Sequence, residues 1–308
     1  MSRLAQAVDD YLTVRRAMGF KLALAGRLLP QFVDYLDQAG ATSITVEHAL
    51  AWARLPINST VGWWAQRLSV VRGFATWLAA TDPATEIPPR DLLLGRARRA
   101  TPYLYSPEDI AALLAAASVL RPKLRAATYQ TLICLLSVTG MRIGEAIALD
   151  RADLDTRHGV LLVRLGKFGK TRQLPLHHSC VAALQDHLRM RDRLLPDADT
   201  PALLINTRGA RLGYGVVGHT FRQLTQQAGL APRSPSCRPR LHDFRHSFAV
   251  DTVLDSYRAG TNMQVMLPRL STYLGHADPT HTYWYLSAAP ELLALAGQRL
   301  EDHLGGPS

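Results

Sequence analysis

The chain has 308 residues, of which 47% are hydrophobic, and it carries a formal net charge of +10. This length and apolar content allow two domains with buried cores and exclude an intrinsically disordered protein. Residues 1–100 contain 12 basic and 8 acidic side chains and the remainder contains 23 and 17, so both halves are basic. Such a balance indicates contact with a polyanion such as nucleic acid; an excess of charge that serves only solubility is the alternative.

The cysteine pattern bears on the redox compartment. Cys134, Cys180 and Cys237 lie far apart and form no CxxC pair, which argues against a disulfide scaffold and a thiolate zinc site. The chain start lacks a signal-peptide pattern, and no apolar run reaches the length of a membrane span. We therefore expect a cytoplasmic protein without membrane association.

Residues 1–82 are predicted to form a small all-α domain. Apolar residues recur at helical spacing in four stretches separated by Gly, Pro and Asn: LAQAVDDYLTVRRAMGF, LLPQFVDYLDQAG, VEHALAWARL and VGWWAQRLSVVRGFATWLAA. Residues 83–105 are rich in Pro and Arg, lack periodicity and are predicted to be a linker. Arg96, Arg98 and Arg99 are expected to contact DNA phosphates from this linker; a solvated basic segment without contacts is the alternative.

Residues 106–308 are predicted to form a second domain that is mainly α. Ser106 is a candidate N-cap, Pro107 suits the first helical position, and acidic residues follow in the first turn. Helices are expected at 107–117, 125–138, 179–194, 214–228, 242–257, 262–273, 279–287 and 290–303. Between the second and third of these helices, GVLLVRL, the turn GKFGK and TRQLPL predict an antiparallel β-hairpin.

The few lysines are informative. The chain has four lysines against 31 arginines, and two of the four, Lys167 and Lys170, lie in the predicted hairpin turn. A lysine can release its proton where an arginine cannot, so Lys167 is a candidate general acid. Lys170 and Arg172 are expected to contact DNA. The alternative is that both lysines are exposed turn residues without a chemical role.

Two further groups of residues suit phosphate chemistry. His242 and Arg245 are three residues apart, so one helix face can present both to a single phosphate. His242 and His246 also form an HxxxH pair, but a zinc site lacks the accompanying glutamate and an obvious third ligand. Tyr285 follows a predicted helix start at Asp278 and could act as a nucleophile if positive charge stabilises its phenolate; a core aromatic is the alternative.

Taken in order along the chain, these motifs resemble the tyrosine recombinase (phage integrase) family over residues 106–290. TGMRIGE, with Arg142, resembles its first arginine motif, GKFGKTRQLPL its hairpin lysine motif, and LHDFRHSFA its HxxR box. LGHADPTHTYWY resembles the box in which the nucleophilic tyrosine lies nine residues after a histidine, which selects Tyr285 from His276. The C-terminal stretch YWYLSAAPELLALAGQRLE resembles transposon-associated integrases, including those encoded in tandem trios.

The resemblance implies a two-domain architecture and a catalytic set of Arg142, Lys167, His242, Arg245, His276 and Tyr285. It implies site-specific cleavage and rejoining of double-stranded DNA through a 3′-phosphotyrosine, in integration or transposition, without ATP or a metal cofactor. It also implies a homotetramer on two recombination sites and leaves open a need for sister recombinases.

Two departures from the family pattern are visible. Ser287 occupies a position where many relatives have histidine, and the stretch from Arg245 to His276 is longer than in compact Xer-type members. Type IB topoisomerases use the same kinds of residue, so relaxation of supercoils without pairing of sites is one alternative function. A catalytically inactive, integrase-like DNA-binding protein is the other.

Overall fold

The computed structural model describes residues 2–93, 100–164 and 171–275 together with Gly297. The chain divides between Arg99 and Ala100 into two compact units. In the described residues the first unit is all-helical, and the second combines helices with a small antiparallel sheet. The predicted fold class, mainly α with one small antiparallel sheet, is confirmed.

Four helices are described in the first unit: α1 (Arg3–Ala17), α2 (Ala23–Gln38), α3 (Val46–Arg54) and α4 (Val61–Leu78). The side chains of Ser2, Thr45 and Thr60 cap α1, α3 and α4 by accepting backbone N–H groups of the first turn. Helix α2 begins five residues before the predicted stretch and keeps Pro30 in its interior. Its extra turn buries Ala25 and contributes to the apolar core, which offsets the cost of the proline.

The two ends of the predicted linker 83–105 are each held by the unit that they adjoin. The Glu86 backbone N–H donates to the Ile44 carbonyl (2.8 Å), and Arg72 donates to the carbonyls of Pro88 and Pro89. In the second unit, Tyr103 and Tyr105 are buried in the apolar core. Residues 94–99, which include Arg96, Arg98 and Arg99, lie outside the described residues.

Seven α-helices and one 3-10 helix (Arg151–Asp153) are described in the second unit. The α-helices are α5 (Pro107–Ser118), α6 (Lys123–Thr139), α7 (Ile143–Ala148), α8 (His178–Leu194), α9 (Tyr214–Gln227), α10 (Asp243–Arg258) and α11 (Met263–Leu274). A capping box between Ser106 and Asp109 starts α5, as the sequence predicts. The short helix α7 was not predicted. The helices expected at 279–287 and 290–303 lie outside the described residues apart from Gly297, which is helical.

The sheet has three strands in the order β1 (Leu154–Asp155), β2 (Val160–Val163) and β3 (Arg172–Pro175), all antiparallel. Strands β2 and β3 are the predicted hairpin, paired so that Val163 lies opposite Arg172. The hairpin turn at 165–170, with Lys167 and Lys170, lies outside the described residues. Strand β1 was not predicted because two residues are too short for a recognisable alternation.

The core of the second unit is built around the apolar helix α6, which is in contact with α5, α8 and α10. A second apolar cluster joins α10 to α11 through residues such as Val250, Val253 and Leu270. These contacts bring the C-terminal ends of α6 and α11 close to the start of α10. Across the part of the chain that the structure describes, no helix combines the length and apolarity that a membrane span needs.

Candidate active site

The start of α10 is fixed by a buried acidic residue. Asp243, the first residue of the helix, is fully buried, and its carboxylate accepts the backbone N–H and the guanidinium of Arg240. Burial raises the pKa of Asp243, and the bonds from Arg240 oppose that shift. The Tyr105 hydroxyl donates to the Arg240 carbonyl (3.1 Å), and the Tyr105 ring stacks on Phe244. The turn that carries His242 is therefore held by the bonds between Arg240 and Asp243 and by the contacts of Tyr105.

Arg245 lies in the first turn of α10 and is only 1% exposed. Its Nη1 donates to the carbonyl of Gly140 (3.0 Å), which ends α6, and its Nη2 donates to the carbonyl of Leu274 (2.6 Å), which ends α11. A guanidinium is well placed at helix C-termini because it complements their partial negative charge. Arg245 thus ties together the ends of two helices beside His242.

Arg142 is positioned by the start of α7. Glu145, at the third position of this helix, accepts the Arg142 backbone N–H through Oε2 (2.9 Å) and the Arg142 Nη1 through Oε1 (2.9 Å). The Arg142 Nη2 also approaches the carbonyl of Gly275 (3.4 Å), the residue immediately before His276. Arg142 remains partly exposed, with 22% of its side chain accessible.

A second arginine shares the carboxylate of Glu145. Arg172, at the start of β3, donates from Nη1 to Oε1 (3.1 Å) and from Nη2 to Oε2 (2.8 Å), while its Nε donates to the carbonyl of Tyr273 (2.9 Å). Burial by itself raises the pKa of Glu145, but the bonds and charges of Arg172 and Arg142 outweigh it and bring that pKa to about 2. Glu145 is therefore ionised between two guanidiniums.

His242, the residue immediately before α10, is a neutral imidazole at pH 7. Burial lowers the pKa of His242 to about 4, and the positive charges of Arg245, Arg142 and Arg240 add to this shift. Because the charges of Arg142 and Arg245 both act on its pKa, His242 lies near both predicted site arginines. Its ring is perpendicular to that of His246, with the ring centroids 4.8 Å apart.

The structure brings together three of the six predicted catalytic residues, namely Arg142, His242 and Arg245, from three separate segments. It also places Arg172, predicted as a DNA contact, beside Arg142. Lys167, His276 and Tyr285 lie outside the described residues, as does the predicted DNA contact Lys170. In sequence, Lys167 follows β2, and His276 directly follows Gly275, which Arg142 approaches.

Sequence reasoning missed the connection through Glu145. Glu145 ends the motif TGMRIGE and Arg172 follows the hairpin turn, but a contact between residues 27 positions apart has no local signal. Within the described ranges, no group of three or more His, Cys, Asp and Glu side chains could hold a metal ion, and this covers the HxxxH pair at His242. What converges instead is positive charge with a neutral imidazole, an arrangement suited to a phosphoryl group that gains negative charge.

The comparisons with known proteins agree on one family. Residues 105–291 match the model of the phage integrase family. The chain is 46% identical over 307 residues to y4rB of Sinorhizobium fredii, whose name describes it as an integrase/recombinase, and each chain is covered to 98%. It is 32% identical over 234 residues to the tyrosine recombinase XerD of Caulobacter vibrioides, covering 75% of this chain and 72% of that protein.

A solved structure shows the same fold. The Tn1549 transposon integrase, in complex with transposon right end DNA, superposes with a TM-score of 0.68 over 99% of this chain and 100% of that chain. Its sequence identity is 18%, so this likeness concerns the fold alone. With the family match over more than half of the residues and relatives along nearly the full length, the chain belongs to the phage integrase family, the site-specific tyrosine recombinases.

Proposed function

We propose that this recombinase cleaves and rejoins double-stranded DNA at specific sites by two transesterifications through a 3′-phosphotyrosine. The observation that carries the proposal is the convergence of Arg142, His242 and Arg245 from three segments of one unit. Two fixed guanidiniums and an uncharged imidazole are the groups needed to stabilise a phosphorane-like transition state by preorganised charge.

Each residue then has a distinct role. Arg142 and Arg245 bind the non-bridging oxygens of the scissile phosphate, and His242 and His276 donate hydrogen bonds or move protons at the same group. The Tyr285 oxygen attacks the phosphorus in line and gives its proton to one of these histidines, while the 5′-oxygen leaves with a proton from Lys167. A 5′-hydroxyl of another strand reverses this step, which restores the phosphodiester and frees Tyr285.

Because the phosphoester is exchanged and not hydrolysed, the reaction conserves its bond energy and needs no ATP. The positively charged side chains of the protein supply the charge stabilisation, so we propose that no metal ion takes part. Cleavage should accordingly proceed at the same rate in EDTA and in magnesium. A loss of cleavage in EDTA that magnesium restores would contradict this part of the mechanism.

The assembly follows from the exchange of strands between two sites. We propose a homotetramer on two DNA sites, in which the helical unit (residues 1–82) and the catalytic unit (residues 106–308) of each protomer both contact the duplex. Arg96, Arg98, Arg99 and Lys170 would contact the backbone and fix the protein's position. Sister recombinases are proposed as additional partners.

The three free cysteines fit the reducing cytoplasm, where we place the reaction.

A plasmid assay separates recombination from the alternatives. A supercoiled plasmid carrying two copies of the DNA that flanks the protein's own gene is incubated with the wild-type protein or with Tyr285→Phe. The proposal predicts recombinant circles with the wild type alone. Relaxed circles without recombinants would indicate a topoisomerase-like activity, and binding without any change in topology would indicate an inactive DNA-binding protein.

A further inference from the structure

We propose that Arg172 is a positioning residue for Arg142, acting through the carboxylate that the two arginines share, Glu145. The inference rests on the proposed function, in which Arg142 binds the scissile phosphate. It gives Arg172 a role inside the site in place of the DNA contact expected from the sequence.

The contacts of Arg172 all point into the unit. Its Nη1 and Nη2 form a two-pronged pair with Glu145, and its Nε donates to the Tyr273 carbonyl. Only 14% of the Arg172 side chain and 6% of the Glu145 side chain are exposed. A guanidinium held at three of its donors in this way is pre-organised and has little left to offer to a DNA backbone.

Arg172 limits the number of hydrogen bonds that Glu145 can accept from the Arg142 guanidinium. With Arg172 occupying both carboxylate oxygens, the Arg142 guanidinium makes a single bond to Oε1, and Oε2 receives the Arg142 backbone N–H. Two guanidiniums against one carboxylate leave one net positive charge for a phosphate. Without Arg172, Glu145 could bind Arg142 with both oxygens, which would neutralise its charge and draw it back from the substrate.

Arg172 also fixes the backbone next to His276. It packs over Gly275, where a Cβ atom would lie 3.1 Å from Nη1, and Gly275 has the positive φ of 69° that suits glycine. One arginine on β3 therefore contacts the residue that anchors Arg142 and the segment that leads to His276. It belongs to the hairpin whose turn carries Lys167.

The test measures cleavage and binding separately. Single-turnover cleavage of a nicked duplex from the gene's flanks is compared with affinity for the uncut duplex in wild type, Arg172→Ala, Arg172→Lys, Glu145→Gln and Glu145→Gln/Arg172→Ala. Arg151→Ala is the matched control, because Arg151 also forms a two-pronged pair, with Asp192 of α8, but both of these side chains are exposed. We expect Arg172→Ala to cleave about 10²-fold more slowly with affinity unchanged, and Arg151→Ala to behave as wild type.

Two results identify the path through Glu145. The double variant should lose much less than the product of the two single losses, because the effect of Arg172 that passes through Glu145 is already absent in Glu145→Gln. Arg172→Lys should recover only part of the rate, since lysine keeps the charge but not the fork. Additive losses in the double variant, or an affinity loss that matches the rate loss, would overturn the proposal.

Hydrogen exchange on the DNA-free protein keeps this test independent of the proposed function. Arg172→Ala should accelerate exchange at the amides of residues 142–146 and 273–275, whereas Arg151→Ala should not. Unchanged exchange in both segments would overturn the positioning role even if no DNA is cleaved. If Arg172→Ala shows this faster exchange while the wild-type protein cleaves no DNA, the result would instead count against the proposed function.

Discussion

Arg142 and Arg245 have the same proposed partner, a phosphate, but different structural duties. Arg245 is buried and satisfies the carbonyls of Gly140 and Leu274, whereas Arg142 is partly exposed beside Glu145. Leaving a buried carbonyl without its donor costs about 1–3 kcal/mol. Removal of Arg245 should therefore destabilise the protein and removal of Arg142 should not, whereas the loss of either residue should slow cleavage.

We predict that Arg142→Ala and Arg245→Ala each slow single-turnover cleavage by about 10²–10³-fold, and that only Arg245→Ala lowers the unfolding temperature, by several degrees. Arg245→Lys is the control that keeps the charge but cannot span both carbonyls. Calorimetry and cleavage kinetics measure the two effects. Cleavage by Arg142→Ala at the wild-type rate would contradict its assignment.

His187 is a buried histidine outside the proposed site. It lies in α8 with 3% of its surface exposed, and burial, with a smaller contribution from Arg191, lowers the pKa of His187 to about 4. The unfolded chain, with a histidine pKa of about 6.5, binds the proton first, so stability is lost as the pH falls from 6.5 towards 4.

This linkage predicts that the wild type loses more stability at low pH than the His187→Gln variant does. Between pH 7.5 and pH 5, His187 alone should lower the free energy of unfolding by about 2 kcal/mol. Calorimetry at both pH values should show a larger fall in unfolding temperature for the wild type than for His187→Gln. Equal falls in both proteins would mean that His187 is not buried in its neutral form.

Among the elements, the junction between α6 and α7 has both a backbone conformation that suits glycine and a hydrogen bond to a residue of the proposed site. Gly140 ends α6 with a φ of 58°, and a Cβ atom there would lie 2.5 Å from Cδ1 of Phe248 on α10. Its carbonyl is also an acceptor for Arg245. The close approach of α10 to this turn requires glycine and at the same time places Arg245.

Gly140→Ala should therefore be more harmful than an alanine at another left-handed glycine. Gly229, after α9, has a φ of 70° and nothing within 4 Å of its Cβ position, so Gly229→Ala isolates the backbone cost of about 1–2 kcal/mol. We expect Gly140→Ala to lower the unfolding temperature further and to reduce cleavage. Equal effects of the two substitutions would show that contact with Phe248 is unimportant.

The elements that the sequence predicts well are those with strong local signals. The capped start of α5 at Ser106 and the hairpin strands around 160–163 and 172–175 follow from residue types and periodicity alone. The missed elements, α7 and β1, are short and depend on tertiary contacts, such as the antiparallel pairing of Leu154 with Leu161. Periodicity needs more residues than such elements contain.

In the whole molecule, three of the residues selected from the sequence converge, but the contacts that support them were not predictable. Arg142, His242 and Arg245 could be selected because their motifs occur in a fixed order along the chain. The bonds that hold them come from residues far away in sequence, such as Arg172 to Glu145 and Arg245 to Leu274. Those partners follow only from the packing of α6, α10 and α11 and from the approach of β3 to α7, which no single segment encodes.

In the proposed mechanism, Tyr285 becomes covalently joined to DNA in the field of Arg142 and Arg245. The most direct measurement incubates nicked suicide duplexes from the gene's flanks with the wild type, Tyr285→Phe and the neighbouring control Tyr283→Phe, then runs a denaturing gel. We predict a covalent protein–DNA band with the wild type and Tyr283→Phe, mapped to Tyr285 by mass spectrometry, and none with Tyr285→Phe. A band that persists in Tyr285→Phe would contradict this mechanism.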